Sequence, residues 1–227
     1  MQVFILVFAL ALGLTLWGRG RFQKIYRQER TQTLARSLTG AELARGVLRY
    51  RGIADVEVAK AHGLFADYYH PLKRRITLSP KHFRGEDFSS LAIAALQAGK
   101  AIQHHEKHRP LWWRNSAIRA TVFLSLPLAL AAALTAVAGF GKTLFPLMLL
   151  FWSVVAFWNV ITIPTEIDAG ERVKKQLEGM KVFRNLDERV GVERVIGAAC
   201  TFYIDGILNV LSWLGSLVGL GLFGKEK

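Results

Sequence analysis

Long apolar runs with at most one charged residue limit the folds open to this chain, in which 52% of the 227 residues are hydrophobic. The runs cover residues 3–17, 121–140, 144–163 and about 196–223. Such runs are typical of transmembrane helices, because roughly 20 helical residues cross the ~30 Å hydrocarbon core of a bilayer. The first run would reach only ~22 Å as a helix and is therefore interpreted as a short anchor. We predict a mainly α membrane protein with about four transmembrane helices.

The charges around residues 3–17 indicate an anchor that is not cleaved. No Lys or Arg precedes this run, and Arg19, Arg21 and Lys24 follow it. A cleaved secretory signal has the reverse arrangement, with its basic residues before the apolar run. We therefore expect an N-terminal anchor whose N terminus lies outside the cell.

Basic residues are concentrated in two stretches of the chain. Of the 30 Lys and Arg residues, 20 lie in residues 18–119 and 7 in residues 164–195. Four spans would place both stretches on one side of the membrane, and the positive-inside bias makes that side the cytoplasm. The expected location is the cell membrane, multi-pass, with the main soluble domain in the cytoplasm and anionic lipid headgroups as partners. Nucleic acid is not an expected partner despite the net charge of +13, since the chain carries no nucleic-acid-binding motif.

Five segments are predicted from these features. They are an anchor at 1–18, a cytoplasmic region at 19–119, a transmembrane hairpin at 120–163, a cytoplasmic amphipathic helix at 164–195 and a C-terminal membrane helix at 196–227. Cys200 is the only cysteine, so no disulfide can form within the chain.

Local signals predict short elements inside the cytoplasmic region. Thr39 followed by Glu42 has the spacing of a capping box at the start of a helix, and Gly52 is expected to end that helix. Alternating patterns rich in β-branched residues predict strands at 55–61 and 74–80, with a turn-rich loop between them.

Two further helices are expected outside the predicted spans. One begins at Asp87 or Ser89 and runs to about His105. The other follows from an amphipathic charged pattern over residues 165–190.

Four stretches occur in one order over roughly residues 38–175 and together resemble a known family. They read "LTGAELARGVL", "YYHPLKRRITLS", "AALQAGKAIQHHEKHRPL" and "IPTEIDAGERV". The chain resembles the YugP-like membrane zinc metallopeptidases, whose third stretch has the pattern A-A-H-E-V-G-H-A-I-Q-H. The spacing and the final G-x-A-I-Q-H of that pattern are kept here. The resemblance implies that the cytoplasmic domain is a small zincin-like α+β domain.

The resemblance also implies where the zinc site of this family lies. In a His-Glu-x-x-His helix, two histidines bind zinc and the glutamate acts as general base. Those positions hold Leu96, Gln97 and Lys100 here, and the position of the third ligand holds Glu166. Leu96 has no lone pair, Gln97 cannot accept a proton near neutral pH, and Lys100 repels Zn²⁺. We therefore expect a vestigial metal site without zinc, and a pseudoenzyme without peptidase activity.

Leu96 and Lys100 have a simpler interpretation when the family is ignored, because they are then ordinary positions of an alanine-rich helix. With the family arrangement, Lys100 stands where the second ligand stood, facing Glu166. An unpaired buried carboxylate is costly. We therefore predict that Lys100 Nζ lies within ~4 Å of a Glu166 carboxylate oxygen, the usual ion-pair criterion.

The expected function of such a chain is to bind a protein segment, or to scaffold an assembly with a protein partner in the membrane. The resemblance puts the peptide groove along a strand edge beside the metal helix. The predicted peptide-binding edge consists of Arg75, Ile76, Thr77 and Leu78. Strand addition needs only backbone hydrogen bonds, so it can outlast the metal.

Two alternatives remain open from the sequence. In the first, the chain is a membrane zinc metallopeptidase with an unorthodox metal site, for which His104 and His108 offer i, i+4 spacing one turn further along the helix. In the second, it is a structural transmembrane subunit of a larger complex.

Overall fold

The computed structural model describes residues 2–62, 66–107 and 163–202, and every structural statement below concerns these residues. Their elements follow in the order α1 (Gln2–Glu29), α2 (Gly40–Tyr50), β1 (Glu57–Lys60), β2 (Tyr68–His70), β3 (Arg75–Leu78), α3 (Pro80–Arg84), α4 (Phe88–His105), α5 (Ile163–Gly179) and α6 (Leu186–Phe202). The chain divides into two compact units. One holds the N-terminal part of α1, and the other comprises residues 20–111 and 164–202.

The described part of the chain has an α+β fold. Within these ranges, none of the helices combines the length and the apolar character needed to cross a bilayer. The prediction of a mainly α membrane protein with about four transmembrane helices is therefore wrong for this part. In α1 the apolar run stops at Trp17 and basic residues follow from Arg19, so its uncharged length falls short of a ~30 Å core. The predicted spans at 121–140 and 144–163 lie outside the described residues, apart from residue 163.

The fourth predicted span is only partly described. Residues 196–202 form the end of α6, a helix whose first turn carries Asp187 and Glu188. Charged residues in its first turn distinguish α6 from a uniformly apolar span. The predicted segment boundaries and the external N terminus stay predictions.

The capping box at the start of α2 is confirmed. Glu42 N donates to Thr39 Oγ1 over 3.3 Å, and Thr39 N donates to Glu42 Oε2 over 2.8 Å. Gly52, with φ of +67°, follows the end of the helix as predicted. The buried face of α2, which includes Ala44 and Val47, packs along α4.

The sheet has the strand order β1-β3-β2, with β1 parallel and β2 antiparallel to β3. The predicted strands correspond to β1 and β3. The short strand β2 lies in the segment predicted as a loop, where three residues flanked by turn signals give almost no alternation to detect.

The central position of β3 overturns one site prediction. Ile76 pairs with Val58 of β1 on one side and with Tyr69 of β2 on the other. The predicted edge Arg75, Ile76, Thr77 and Leu78 is therefore wrong, because both sides of this strand are already hydrogen-bonded. Alternation in a sequence shows that a strand forms but not where it lies in the sheet.

The helix α4 forms the centre of the fold. Its N-cap is Asp87, whose Oδ1 accepts from Ser90 N over 2.9 Å, and it ends at His105 as predicted. Every residue from Phe88 to Gln103 is buried. A helix buried on all sides needs neighbours around it, and α2, α3, α6 and strands β2 and β3 pack against α4.

The predicted helix over residues 165–190 is wrong, because the chain forms two helices there. Helix α5 ends at Gly179, and the backbone turns through Lys181, whose φ is +50°. Helix α6 then begins after Asn185, whose Oδ1 accepts from Glu188 N over 2.8 Å. An Asn cap inside a charged pattern leaves the helical period of the sequence almost unchanged, which is why the break was missed.

Candidate functional site

The crossing of α4 and α5 brings the implied metal-site positions into one part of the fold. A Cβ added at Gly99 would lie 2.3 Å from the carbonyl oxygen of Ala169. Glycine at position 99 therefore allows the backbone of α5 to lie directly against α4. This close approach places Glu166, in the first turn of α5, within reach of the middle of α4.

Lys100 and Glu166 form a buried ion pair at this crossing. The distance between Lys100 Nζ and Glu166 Oε2 is 3.2 Å, and the two side chains are 1% and 0% exposed. The ion pair predicted from the sequence is therefore present. Leu96 and Gln97, one turn earlier on α4, are 0% and 1% exposed. All four implied positions are thus closed off from solvent.

Helix α6 adds a thiol to this region. Cys200 Sγ donates to the backbone carbonyl oxygen of Glu166 over 3.1 Å. Burial, and then the negative charge of Glu166, raise the pKa of the Cys200 thiol to about 12. The sequence placed Cys200 at the start of a membrane span, and no local signal linked it to Glu166.

The C-terminal half of α4 is tied to the start of α5 by polar contacts. Gln103 Nε2 donates to the carbonyl oxygen of Thr165 over 2.8 Å and to Asp168 Oδ2 over 2.6 Å. Arg172 then pairs with both Asp168 and Glu106. These bonds fix the angle between the helices and hence the position of Glu166 relative to Lys100.

His104 is held by the edge strand β2. The hydroxyl of Tyr69 and Nδ1 of His104 lie 2.6 Å apart. Burial, and then the charges of Arg74 and His105, lower the pKa of His104 below the usual value of an imidazole. His108, the other member of the predicted second metal site, lies outside the described residues.

A second polar cluster, absent from the predictions, connects α1 to the segments around β3. His82 Nε2 lies 2.7 Å from the Tyr26 hydroxyl, and His82 Nδ1 lies 2.8 Å from Asp67 Oδ2. Burial acts to raise the pKa of Asp67, but the hydrogen bonds and charge of His82 and the bonds from Ser79 lower it overall. The three residues are 41 and 15 positions apart along the chain, so no sequence motif marks the cluster. The cluster joins α1 to α3 structurally.

The side chains at the implied zinc position do not fit zinc. Catalytic zinc takes three protein ligands and structural zinc four, from His, Cys, Asp or Glu. Of the four positions, Glu166 alone offers such a ligand, and its carboxylate is paired with the Lys100 ammonium. Across the described residues, no group of three or more His, Cys, Asp or Glu side chains is arranged to hold a metal ion.

Comparison with known proteins shows the family. A family model described as "Putative neutral zinc metallopeptidase" matches residues 3–221, and the chain therefore belongs to this family. The curated protein "Putative membrane protease YugP" of Bacillus subtilis (strain 168) is 29% identical over 228 residues, which cover 100% of each chain. No solved structure matches the chain.

The comparisons confirm the resemblance drawn from the four stretches and correct two expectations. The family description names zinc and peptide hydrolysis, which overturns the expectations that the chain is not an enzyme and has no zinc cofactor. Those expectations were based on three residues of one helix and were applied to the whole protein. A lost motif shows only that zinc is not held by Leu96, Gln97 and Lys100, and it carries no information about other side chains.

Proposed function

We propose that this chain, as a member of a zinc metallopeptidase family, acts on polypeptides and binds an extended segment along the outer side of β2. One observation carries the proposal. β2 is an edge strand, and the Tyr69 hydroxyl joins it to His104 near the end of α4. An edge strand presents backbone donors and acceptors that a polypeptide in extended form can pair with.

The packing of β2 supports binding at this edge of the sheet rather than at the edge formed by β1. β2 packs against α4, the helix that carries the family motif, whereas β1 packs against α2 and α3. Its pairing with β3 is antiparallel and fixed by the register of Tyr69 with Ile76. A segment added to β2 would therefore lie beside the C-terminal half of α4.

The test is binding and cleavage of fluorescein-labelled casein, an unstructured polypeptide, by the full-length protein. His70→Pro places a proline in β2 opposite Arg75 of β3 and should weaken binding at least tenfold in fluorescence anisotropy, because it disrupts the pairing that holds the edge strand in place. Ala59→Pro disrupts the pairing of the other edge strand, β1, with β3 in the same way and should leave the affinity within about twofold. Equal losses in the two variants would contradict the choice of edge. Release of labelled fragments that stops with 1,10-phenanthroline would identify metal-dependent hydrolysis.

A second candidate is peptide hydrolysis with an unorthodox metal site at His104. The hydroxyl of Tyr69 bonds Nδ1 of that ring, and metal-binding histidines are oriented by such a partner on the other nitrogen. His108 supplies a second imidazole four residues later in the sequence, after the end of α4 at His105. One zinc per chain by mass spectrometry, lost in His104→Ala and kept in the exposed control His62→Ala, would support this site. Zinc that survives His104→Ala would contradict it.

We also propose that the protein associates with a membrane, with the unit of residues 20–111 and 164–202 on the cytoplasmic side. The name of the Bacillus subtilis relative supports a membrane location, and 27 of 30 Lys and Arg residues in two stretches support the orientation. Anionic lipid headgroups are the partners that this charge favours, together with the bound polypeptide. Nucleic acids are not among the proposed partners.

A further inference from the structure

We infer that the Lys100 ammonium neutralises Glu166 inside the fold and thereby holds the crossing of α4 and α5 together without a metal ion at that crossing. According to this inference, the side-chain ammonium of Lys100 occupies the position at which the family motif would place a metal ion. The inference does not depend on where a polypeptide binds, and it leaves open a metal at His104.

Burial makes the pairing necessary. Moving a single charge from water into a protein interior costs several kcal/mol unless an opposite charge lies beside it. Glu166 is 0% exposed and Lys100 is 1% exposed, so solvent cannot take the partner's place. The 3.2 Å separation of Nζ and Oε2 places the two charges at ion-pair distance.

The surrounding contacts keep the pair at this distance. Gly99, next to Lys100, allows the close approach to Ala169 of α5, and Gln103 binds Thr165, next to Glu166. Cys200 of α6 donates to the backbone of Glu166 itself. Three helices therefore meet at Glu166, whose carboxylate is balanced by Lys100.

The residues present favour an ammonium over a metal at this point. A protonated Lys100 has no lone pair for a metal, and its charge repels a dication brought to the same carboxylate. Leu96 contributes only apolar packing at the position of the first ligand. Lys100 and Leu96 thus replace a metal and its ligand by one positive charge and one buried side chain.

Thermal unfolding of the full-length protein tests the inference. Lys100→Met keeps the length of the side chain and removes its charge, and it should lower Tm by about 10 °C, the size expected when one partner of a buried pair is lost. Lys175→Met makes the same change at an exposed position of α5 and should shift Tm by no more than about 2 °C. Adding Glu166→Gln to Lys100→Met should restore Tm to within about 3 °C of the parent, since no buried charge is then left unpaired.

Two results would overturn the inference. The first is additive losses in the double variant, or a double variant that does not fold, because either shows that the two charges are not coupled. The second is EDTA lowering the Tm of the parent and losing this effect in Glu166→Gln, because that pattern shows a metal at the crossing. If EDTA lowers the Tm of the parent and of Glu166→Gln but not that of His104→Ala, the metal is bound at His104. This result supports the inference. If Lys100→Met alone does not fold, recovery of folded protein in the double variant supports the same coupling.

Discussion

Two polar side chains buried in the C-terminal half of α4, those of Lys100 and Gln103, have partners on α5 that explain their presence in an otherwise apolar helix. Lys100 pairs with Glu166, and Gln103 binds Thr165 and Asp168. Buried polar groups are costly unless their bonds are made. These residues therefore specify one arrangement of the two helices where apolar side chains would allow several.

Replacing Gln103 with leucine should test this role of a buried amide. Gln103→Leu removes both bonds to α5 and leaves the buried carbonyl oxygen of Thr165 without that donor, so we expect the free energy of unfolding to fall by about 2 kcal/mol. Urea denaturation measures the loss. The exposed control Gln28→Leu should change it by less than about 0.5 kcal/mol. If Gln103→Leu leaves the free energy of unfolding unchanged, the helices are positioned by apolar packing alone.

Restoring the family motif should create a zinc site. Leu96→His, Gln97→Glu and Lys100→His together place two imidazoles at i, i+4 opposite Glu166, which completes a set of three ligands. We expect the triple variant to bind zinc at least 100-fold more tightly at this position than the parent, as measured by competition with a chromophoric chelator. The gain should disappear when Glu166→Gln is added. No gain at all would show that Glu166 does not stand at the third ligand position.

The raised pKa of Cys200 gives a prediction about reactivity. Its pKa of about 12 lies above the usual value of 9.0, so the thiol in the folded protein stays protonated up to higher pH than in the unfolded chain. Since the thiolate is the reacting form, alkylation at pH 8 should be at least ~100-fold slower in the folded protein than in urea. Equally fast alkylation in both states would show that the thiol is accessible. The stability contributed by the protonated thiol is full below pH 9 and is lost as the pH rises toward 12.

The arrangement of the strands, rather than their existence, decides which of them lie at the edges of the sheet. β1 and β3 come directly from the alternation of the sequence, but β2 lies beyond β3 and takes the edge next to α4. The contact between Tyr69 and His104 joins this edge to the helix. A three-residue strand therefore links the sheet to the part of α4 that follows the motif.

Removing the hydroxyl of Tyr69 should weaken the attachment of β2 to α4. Tyr69→Phe loses the bond to His104 and should lower the free energy of unfolding by about 1 kcal/mol. It should also weaken casein binding, because β2 would be held less firmly against α4. Tyr50→Phe changes a tyrosine that is 55% exposed and serves as the control for both measurements. If Tyr69→Phe affects stability and leaves casein binding unchanged, β2 is a structural strand and not the binding edge.

The charge of the whole molecule bears on its orientation at a membrane. The net charge of +13 arises almost entirely from residues 18–119, which hold 20 Lys and Arg against 8 Asp and Glu, and most of these residues lie in one compact unit. A basic unit is favoured on the cytoplasmic side, where anionic lipids are enriched.

Labelling of intact cells should test the orientation. Arg49→Cys introduces a thiol at an exposed position of α2, while the native Cys200 is buried. A membrane-impermeant maleimide should not label this variant from outside the cell, and it should label the variant after permeabilisation. Labelling of intact cells at the rate seen after permeabilisation would reverse the proposed orientation.

Features encoded in adjacent residues were predictable from the sequence. The four ordered stretches identified the family, Thr39 and Glu42 marked the start of α2, and Asp87 marked the start of α4. That Leu96 and Lys100 do not offer ligands for zinc is likewise visible in the linear sequence. These signals need no knowledge of the fold, because capping bonds and motif spacings join residues a few positions apart.

Other features were decided only by the tertiary structure. Strand order made β3 central and β2 the edge. Tyr69 meets His104, and Cys200 meets Glu166, although each pair is more than 30 residues apart. Contacts between distant residues depend on the free energy of packing whole elements together. The propensities of single residues and short segments do not include this free energy.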